Sequence, residues 1–279
     1  MPNANYVQTV GKQSYDIKKM KKLLSIILLA TILFTSCEKA EELAANETEG
    51  KATVTFDAVF GTQDFALNKD FALGTKTYNF NKFRYWVNNV TLVNIKGEEY
   101  KVPNSYYLIE ETAAVPVQDG AFTYPATKRE KVELKGIPAG DYKTIKFNIG
   151  VESRYNDNLS LQSGELSQLN GMTNVSWMWM TSYIFTSISG KITEGTTAKN
   201  MLVETGLNAN HKSASLDLPA VLHIGSNKST AIILTTDVAK AIDGVDVFAN
   251  PVVGGSQAAI MASVATNYAT KVFTVKSVN

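Results

Sequence analysis

The stretch that decides the fold is 82-KFRYWVNNVTLVNI-95, in which aromatic and β-branched residues alternate with a period close to two. From Lys51 onward similar short stretches recur, such as 131-KVELKGI-137 and 230-TAIILTTDV-238. Turn signals such as 138-PAGD-141 separate them. Short strands at this spacing are typical of a β-sandwich. We therefore predict an all-β protein: a single antiparallel β-sandwich with long loops.

Two segments depart from the strand pattern. Short helices are predicted only within 159-LSLQSGELSQLNG-171 and 235-TTDVAKAIDG-244. No internal repeat or linker divides residues 51–279, and this length is within the usual range for one large β domain. We expect these residues to form one domain.

The N-terminal residues have the pattern of an export signal. From Met20 the chain reads MKKLLSIILLATILFTSC, a basic start followed by an apolar run that is short for a membrane span. Its end resembles a lipobox, which predicts that Cys37 carries a lipid anchor; the alternative is an incidental thiol. Residues 1–19 are then a dispensable extension, 20–37 the lipoprotein signal peptide and 38–50 a flexible acidic tether. The expected location is the cell envelope, as an outer-membrane lipoprotein that is periplasmic or surface-exposed.

Composition excludes several kinds of site. Cys37 is the only cysteine, so the domain has no disulfide and no thiolate for a metal or a nucleophile. The chain has 27 Lys and Arg and 26 Asp and Glu residues, but five of the basic residues and only Asp16 of the acidic ones precede Cys37. The exported part is therefore mildly acidic, which argues against binding to nucleic acid.

Catalytic motifs are missing from the sequence. It contains no HExxH, GxSxG, P-loop or GxGxxG motif, so we do not predict an enzyme. Only two histidines are present, and copper and zinc sites need several converging imidazoles or thiolates. His223 is expected within or at the end of a strand and His211 after a turn. Together they are weak candidates for a metal site.

The stretch 171-GMTNVSWMWMTSYIF-185 contains two of the three tryptophans. Residues two apart on a strand point to the same face, so Trp177 and Trp179 are expected side by side. They either fill the interior of the sandwich, as large aromatic residues often do, or line a pocket or platform. The periodicity favours the interior.

The order of these motifs resembles the MbnP-like family of periplasmic or lipoprotein β-sandwich domains. The resemblance rests on FRYWVNNVTL, IPAGDYKTIKFNIGVE, NGMTNVSWMWMTSYIFTSISGK, VETGLNANHKSASLDL and the closing NYATKVFTVKSV. These segments run across nearly the whole exported domain in the order of the family. The acidic residues after Cys37 resemble surface-export signals of Bacteroidetes lipoproteins; the alternative is an ordinary solvated linker.

The resemblance implies a copper or related metal site built from histidines. It also implies a nearby tryptophan that a partner dihaem enzyme oxidises to kynurenine in some members. At three positions where the resemblance implies copper ligands, this sequence has Ala58, Glu204 and Ser277. Ala cannot bind copper, Ser binds it poorly, and one carboxylate does not select copper over hard cations. The resemblance therefore predicts the family scaffold with a degenerate copper site.

Three functions follow from this reading. The first is a non-enzymatic, lipid-anchored binding or interaction protein with no cofactor, whose candidate pocket comprises Trp177, Trp179, Tyr183 and Glu204. The second is a copper-binding protein that uses His211 or His223 with Glu204 and a Met sulfur, which requires these groups to lie within a few ångströms of each other. The third is a glycan- or partner-binding surface module, which requires Trp177 and Trp179, or Trp86, to be exposed in a groove.

Overall fold

The computed structural model of the chain describes residues 48–117, 119–174, 182–226 and 230–279. The predicted lipid-anchor residue Cys37 and the predicted pocket residues Trp177 and Trp179 lie outside the described residues. No helix within these ranges is long and apolar enough to cross a membrane.

Strands dominate the described residues. In chain order they are β1 (Glu49–Phe60), β2 (Gln63–Asp64), β3 (Asp70–Leu73), β4 (Lys76–Asn94), β5 (Glu99–Lys101), β6 (Tyr106–Thr112), β7 (Val115–Val117), β8 (Phe122–Tyr124), β9 (Thr127–Arg129), β10 (Lys131–Pro138), β11 (Gly140–Ile149), β12 (Thr173–Asn174), β13 (Ser182–Glu194), β14 (Thr197–Gly206), β15 (Lys212–Ile224), β16 (Thr230–Asp237), β17 (Val252–Val253) and β18 (Phe273–Val278). The α-helices are α1 (Ser153–Asn156), α2 (Val238–Ala241) and α3 (Ala258–Thr270), and short 3-10 helices span Gln168–Asn170, Asn208–Asn210 and Gly255–Gln257.

Two sheets, a small one and a large one, form the sandwich, so the predicted fold class is confirmed. The small sheet has the strand order β10-β1-β16-β18, and β2 pairs with β1. The large sheet has the order β15-β11-β4-β13-β14-β17; β3, β5 and β6 also pair with β4, and β9 pairs with β6. Strand β12 pairs with β13, and β7 and β8 form a separate hairpin. Most pairs are antiparallel as predicted, but β1 with β16 and β14 with β17 are parallel.

The buried side chains of β1 show how the two sheets pack against each other. Every second residue from Ala52 to Phe60 is buried, as a strand with one core-facing side requires. The ring of Phe56 in this strand contacts Phe147 in β11 edge-on, with centroids 5.6 Å apart, and Tyr85 in β4 at 6.2 Å. Because Phe56 belongs to the small sheet and its partners to the large one, these contacts cross the core.

Strand β4, which contains residues 82–94 of the stretch that decides the fold, is buried on both faces. Its residues Phe83 and Tyr85 belong to the core between the sheets. Arg84 and Trp86 point to the opposite face and are also fully buried. Trp86 belongs to a second apolar cluster, together with Tyr106, Leu108, Val151, Tyr155, Leu166, Met172, Tyr183, Ile184 and Phe185. The outer face of the large sheet therefore carries a further buried layer.

The longest described helix, α3, lies where no helix was predicted. Its buried residues Met261, Val264, Ala265 and Tyr268 follow the spacing of one helical face, interspersed with Ala, Ser and Thr. Of the two segments predicted to hold short helices, 235–244 contains α2, and 159–171 contains only the 3-10 helix Gln168–Asn170.

Candidate functional site

The candidate site lies on the outer face of the large sheet. There, residues from β8 and from the segment 151–174 pack against β4, β6 and β13. The most deeply buried ion pair of this layer comes from β4 and β6, where Arg84 and Glu110 are direct cross-strand partners. Both are almost completely buried, so their interaction is shielded from water.

Arg84, Glu110 and Tyr124 form one polar cluster. The Nε of Arg84 donates to Oε2 of Glu110 at 2.8 Å, and Nη2 lies 2.7 Å from the same oxygen. The hydroxyl of Tyr124 donates to the other carboxylate oxygen, Oε1, at 2.5 Å. The guanidinium also lies over the Tyr124 ring, 4.8 Å from its centroid. Burial, together with the bond to Glu110, raises the pKa of Tyr124, so its hydroxyl stays protonated and keeps donating.

Several buried polar atoms in this layer have no hydrogen-bond partner among the described residues. They are Nη1 of Arg84, Nε1 of Trp86, Oγ of Ser182 and the hydroxyl of Tyr183. Nη1 of Arg84 lies close to Gly171, because a Cβ added to this glycine would be 3.8 Å from it. Gly171 ends the 3-10 helix Gln168–Asn170, so the Arg84 nitrogen lies beside this helix. Buried donors without a partner are costly. This face therefore has hydrogen-bonding capacity beyond what the described residues use.

An open pocket of about 420 Å³ lies next to the polar cluster. Its lining includes Glu110 and Tyr124 of the cluster, together with Phe122, Arg129 and Glu165. Phe122 and Tyr124 are two residues apart on β8, and strand geometry directs both toward the pocket. Phe122 is 42 % exposed and Leu169, also in the lining, is 48 % exposed. Large apolar side chains at the surface of a concave site are typical of ligand pockets.

A second ion pair forms part of the pocket wall. Arg129 binds Glu165 through both terminal nitrogens, with Nη2 2.7 Å from Oε1 and Nη1 in contact with Oε2. The bond to Glu165 raises the pKa of Arg129 further. Oε2 of Glu165 also accepts from the backbone N–H of Leu108 at 3.1 Å, which holds this carboxylate in place. The planar pair is a fixed feature of the wall.

The structure places the predicted pocket residues Tyr183 and Glu204 on one face, but not at one point. Tyr183 is buried, with its ring edge-on to Trp86 at 6.1 Å. Glu204 accepts from the hydroxyl of Ser187 at 2.9 Å, and Ser187 lies four residues after Tyr183 on β13. That spacing corresponds to roughly 13 Å along a strand. Neither residue lines the pocket beside β8.

Glu204 has its own polar surroundings. The Nζ of Lys82 lies 3.9 Å from its Oε1, and both side chains are largely buried. Burial raises the pKa of the Glu204 carboxyl and lowers the pKa of the Lys82 ammonium, because it disfavours the charged form of each group. The attraction between the two opposes both shifts.

His211 is a packed side chain on the same outer face. Its Nε2 lies 3.3 Å from the side-chain amide of Asn88, and its ring is edge-on to Phe185 with centroids 6.4 Å apart. Burial lowers the pKa of His211, and the carboxylate of Glu152 opposes this shift. The Asn88 amide in turn donates to the backbone oxygen of Gly150 at 2.6 Å.

The two histidines do not share a site. His223 is exposed, and its Nδ1 lies 2.6 Å from the Asp141 carboxylate. His223 pairs with Asp141, and Lys212, which follows His211, pairs with Ile149. Because Asp141 and Ile149 are eight residues apart on β11, the histidines are separated by roughly 26 Å. The two weak metal candidates are therefore too far apart to bind one ion together.

Glu204 does not supply a partner for His211 either. Ser187, which binds Glu204, pairs with Arg84 on β4, whereas His211 contacts Asn88 four residues further along that strand. The two sites are therefore roughly 13 Å apart. Among the described residues no group of three His, Cys, Asp or Glu side chains is arranged to hold a metal ion.

The other implied copper positions do not converge with Glu204. Ala58 lies on β1 of the small sheet and its methyl group is in the core. Ser277 pairs with Ile233, whereas Ala58 pairs with Thr236, so the two are at different levels of that sheet. The donor set that the structure describes therefore does not fit a copper ion.

Sequence reasoning missed the two ion pairs. Trp86 is fully buried, so it does not provide the exposed aromatic surface that the alternative of a glycan- or partner-binding module requires. A charged residue inside the apolar run FRYWV was the available signal for Arg84, since a buried charge needs a partner. No comparable signal marks Arg129 and Glu165, which come from a short strand and a loop.

A family model described as MbnP matches residues 49–261. Among solved structures, MbnP from Methylosinus trichosporium is similar at 14% sequence identity, with a TM-score of 0.43, over 71% of this chain and 86% of that chain. No curated protein matches.

Proposed function

Since the chain belongs to the MbnP family, we propose that it is a non-enzymatic, lipid-anchored binding protein of the cell envelope with a degenerate copper site. The observation that carries this proposal is the separation of the possible copper ligands. His211 is held by Asn88 and Phe185, and His223 pairs with Asp141 at the other end of β15. A copper site needs several nitrogen or sulfur donors around one point.

A binding role is supported by the outer face of the large sheet. This face combines a pocket of about 420 Å³ with two arginine–carboxylate pairs and exposed apolar side chains. Pockets of this size, mainly apolar with a few placed polar groups, are typical of small-ligand sites.

Copper binding by the full chain in detergent tests the proposal. We expect neither Cu(II) nor, under a reducing agent, Cu(I) to bind stoichiometrically in competition with a chelator. The comparison is a double variant, His211→Ala with His223→Ala, which should behave like the unaltered protein. Tight stoichiometric binding that this variant loses would overturn the degenerate site and favour the alternative of a copper-binding protein.

The proposed anchor rests on the sequence around Cys37 and is tested separately. The unaltered chain, expressed with a labelled fatty acid, should incorporate the label and enter the detergent phase on phase separation. Cys37→Ser should do neither, because a serine hydroxyl cannot form the thioether to the lipid. If the serine variant keeps the label, the assignment of Cys37 as the lipidated residue is wrong.

A further inference from the structure

The pocket beside β8 has a composition that restricts its ligand. Each carboxylate in its wall is matched by its own guanidinium, Glu110 by Arg84 and Glu165 by Arg129. These pairs cancel in charge, so the lining offers no net attraction for an anion or a cation. A strongly charged ligand would lose its hydration without gaining a counter-charge.

The same lining is rich in groups that both donate and accept hydrogen bonds. Ser167 accepts from the backbone N–H of Leu169 at 3.1 Å and keeps its own O–H for donation. The Tyr124 hydroxyl donates to Glu110, and its oxygen can still accept. Asn170 and Thr127 also face the pocket. A purely apolar ligand, such as an acyl chain, would cover these groups without satisfying them.

An aromatic and aliphatic surface completes the pocket. The partly exposed Phe122 ring and the Tyr124 ring share one face of β8, and Leu169 lies at the rim. A ligand that fits must therefore present C–H groups to these side chains and hydroxyl groups to the neighbouring polar ones. A sugar ring combines both kinds of surface without net charge.

We infer that this pocket binds a neutral saccharide, with Phe122 stacking against the sugar ring and the partly exposed ion pair of Arg129 and Glu165 receiving its hydroxyl groups. The inference rests on the proposed binding role and names its ligand class. A volume of about 420 Å³ is within the range for small-ligand pockets and accommodates a short saccharide, with further units extending into solvent.

Saturation-transfer NMR of the full chain, held in a detergent without a sugar headgroup, tests this inference. The probes are maltotriose, cellotriose, mannotriose and chitotriose, with trigalacturonate as a charged counterpart. We expect saturable binding of at least one neutral trisaccharide and none of trigalacturonate. In Phe122→Ala, the dissociation constant should rise by about tenfold or more, the loss expected for one stacking contact.

Leu73→Ala is the matched control, since Leu73 is a similarly exposed apolar side chain on β3, outside the pocket lining. It should leave binding unchanged, and thermal unfolding of both variants shows that they remain folded. Three results would overturn the inference: no neutral probe binds, only trigalacturonate binds, or binding is unchanged in Phe122→Ala. Copper titration of the same sample reports on the proposed function independently, so a failure of either is recognised separately.

Discussion

Arg84 and Glu110 face each other as cross-strand partners on β4 and β6, and their ion pair is buried on the outer face of the large sheet. Removing one member of such a pair leaves the other charge without compensation in a medium that solvates it poorly. The pair also fixes the Tyr124 hydroxyl, which links the sheet to the β7–β8 hairpin. It therefore couples the stability of the sheet to the position of the pocket wall.

Replacing Arg84 alone should destabilise the protein strongly. For Arg84→Met we expect the free energy of unfolding in urea to fall by about 3–5 kcal/mol, because Glu110 remains buried without its partner. The double variant Arg84→Met with Glu110→Leu should lose less than the single variant, since no charge is then left buried.

Glu99→Gln provides the control for this prediction. The Lys146–Glu99 pair has Nζ and Oε1 2.7 Å apart but is exposed, with side chains 41% and 56% accessible. Its removal should cost about 0–1 kcal/mol, as usual for surface pairs. An Arg84→Met loss as small as that of Glu99→Gln would contradict the buried-pair account.

The sandwich could be predicted from sequence because each strand carries its own signal. The alternation of Val54, Phe56 and Ala58 identifies one core face without any knowledge of the partner strand. The Arg84–Glu110 pair could not be predicted in this way. The two residues are 26 positions apart, with β5 between their strands, and they meet only through the register of β4 with β6, which sequence periodicity does not give.

Two further features, the distance between the histidines and the helix α3, could not be predicted because they depend on tertiary structure. His211 lies immediately before β15 and His223 near its end, so the length of this strand separates them. Their spacing in sequence did not show that one continuous strand lies between them. Helix α3 was missed because its apolar face is interrupted by many small residues, and its burial against the sheets stabilises it.

The stability of the protein should depend on pH through His211. Its pKa is lower in the folded protein than the ordinary value of 6.5, mainly because of burial. The folded state therefore binds the proton more weakly than the unfolded chain does, and protonation favours unfolding. The penalty is absent at pH 8 and grows as the pH falls through 6.5 toward the folded pKa. Urea midpoints measured from pH 8 to pH 5 should show this decline.

His211→Gln should remove that part of the decline, because glutamine does not titrate and its amide can still meet Asn88. The matched control is His223→Gln, at the exposed histidine that pairs with Asp141. The control should retain the decline of the unaltered protein. If His223→Gln rather than His211→Gln flattens the pH profile, the assignment to the half-buried His211 is wrong.

Gly150 should be intolerant of a side chain. Its φ of +110° is unfavourable for other residues, and an added Cβ would lie 2.5 Å from Cδ2 of Phe185. Phe185 would have to move away from His211, which its ring contacts. We expect Gly150→Ala to lower the free energy of unfolding by about 2–4 kcal/mol, the sum of backbone strain and overpacking.

Gly97→Ala separates these two contributions. Gly97 also has a positive φ, +88°, but nothing lies within 4 Å of its added Cβ. Its substitution should cost only the backbone strain, about 1–2 kcal/mol. Equal losses for both alanine variants in urea unfolding would show that the contact with Phe185 has no energetic weight.

Trp86 should report the integrity of the second apolar layer by fluorescence. In the variant Trp177→Phe with Trp179→Phe it is the only tryptophan of the chain, and its side chain is fully buried next to Tyr183. We expect its emission to be blue-shifted relative to the unfolded protein and poorly quenched by iodide, because the indole is shielded from water. Adding Phe122→Ala should leave both properties unchanged, since Phe122 lies in the pocket and outside this cluster. Efficient quenching in the folded state would instead place Trp86 in the exposed groove that a surface platform requires.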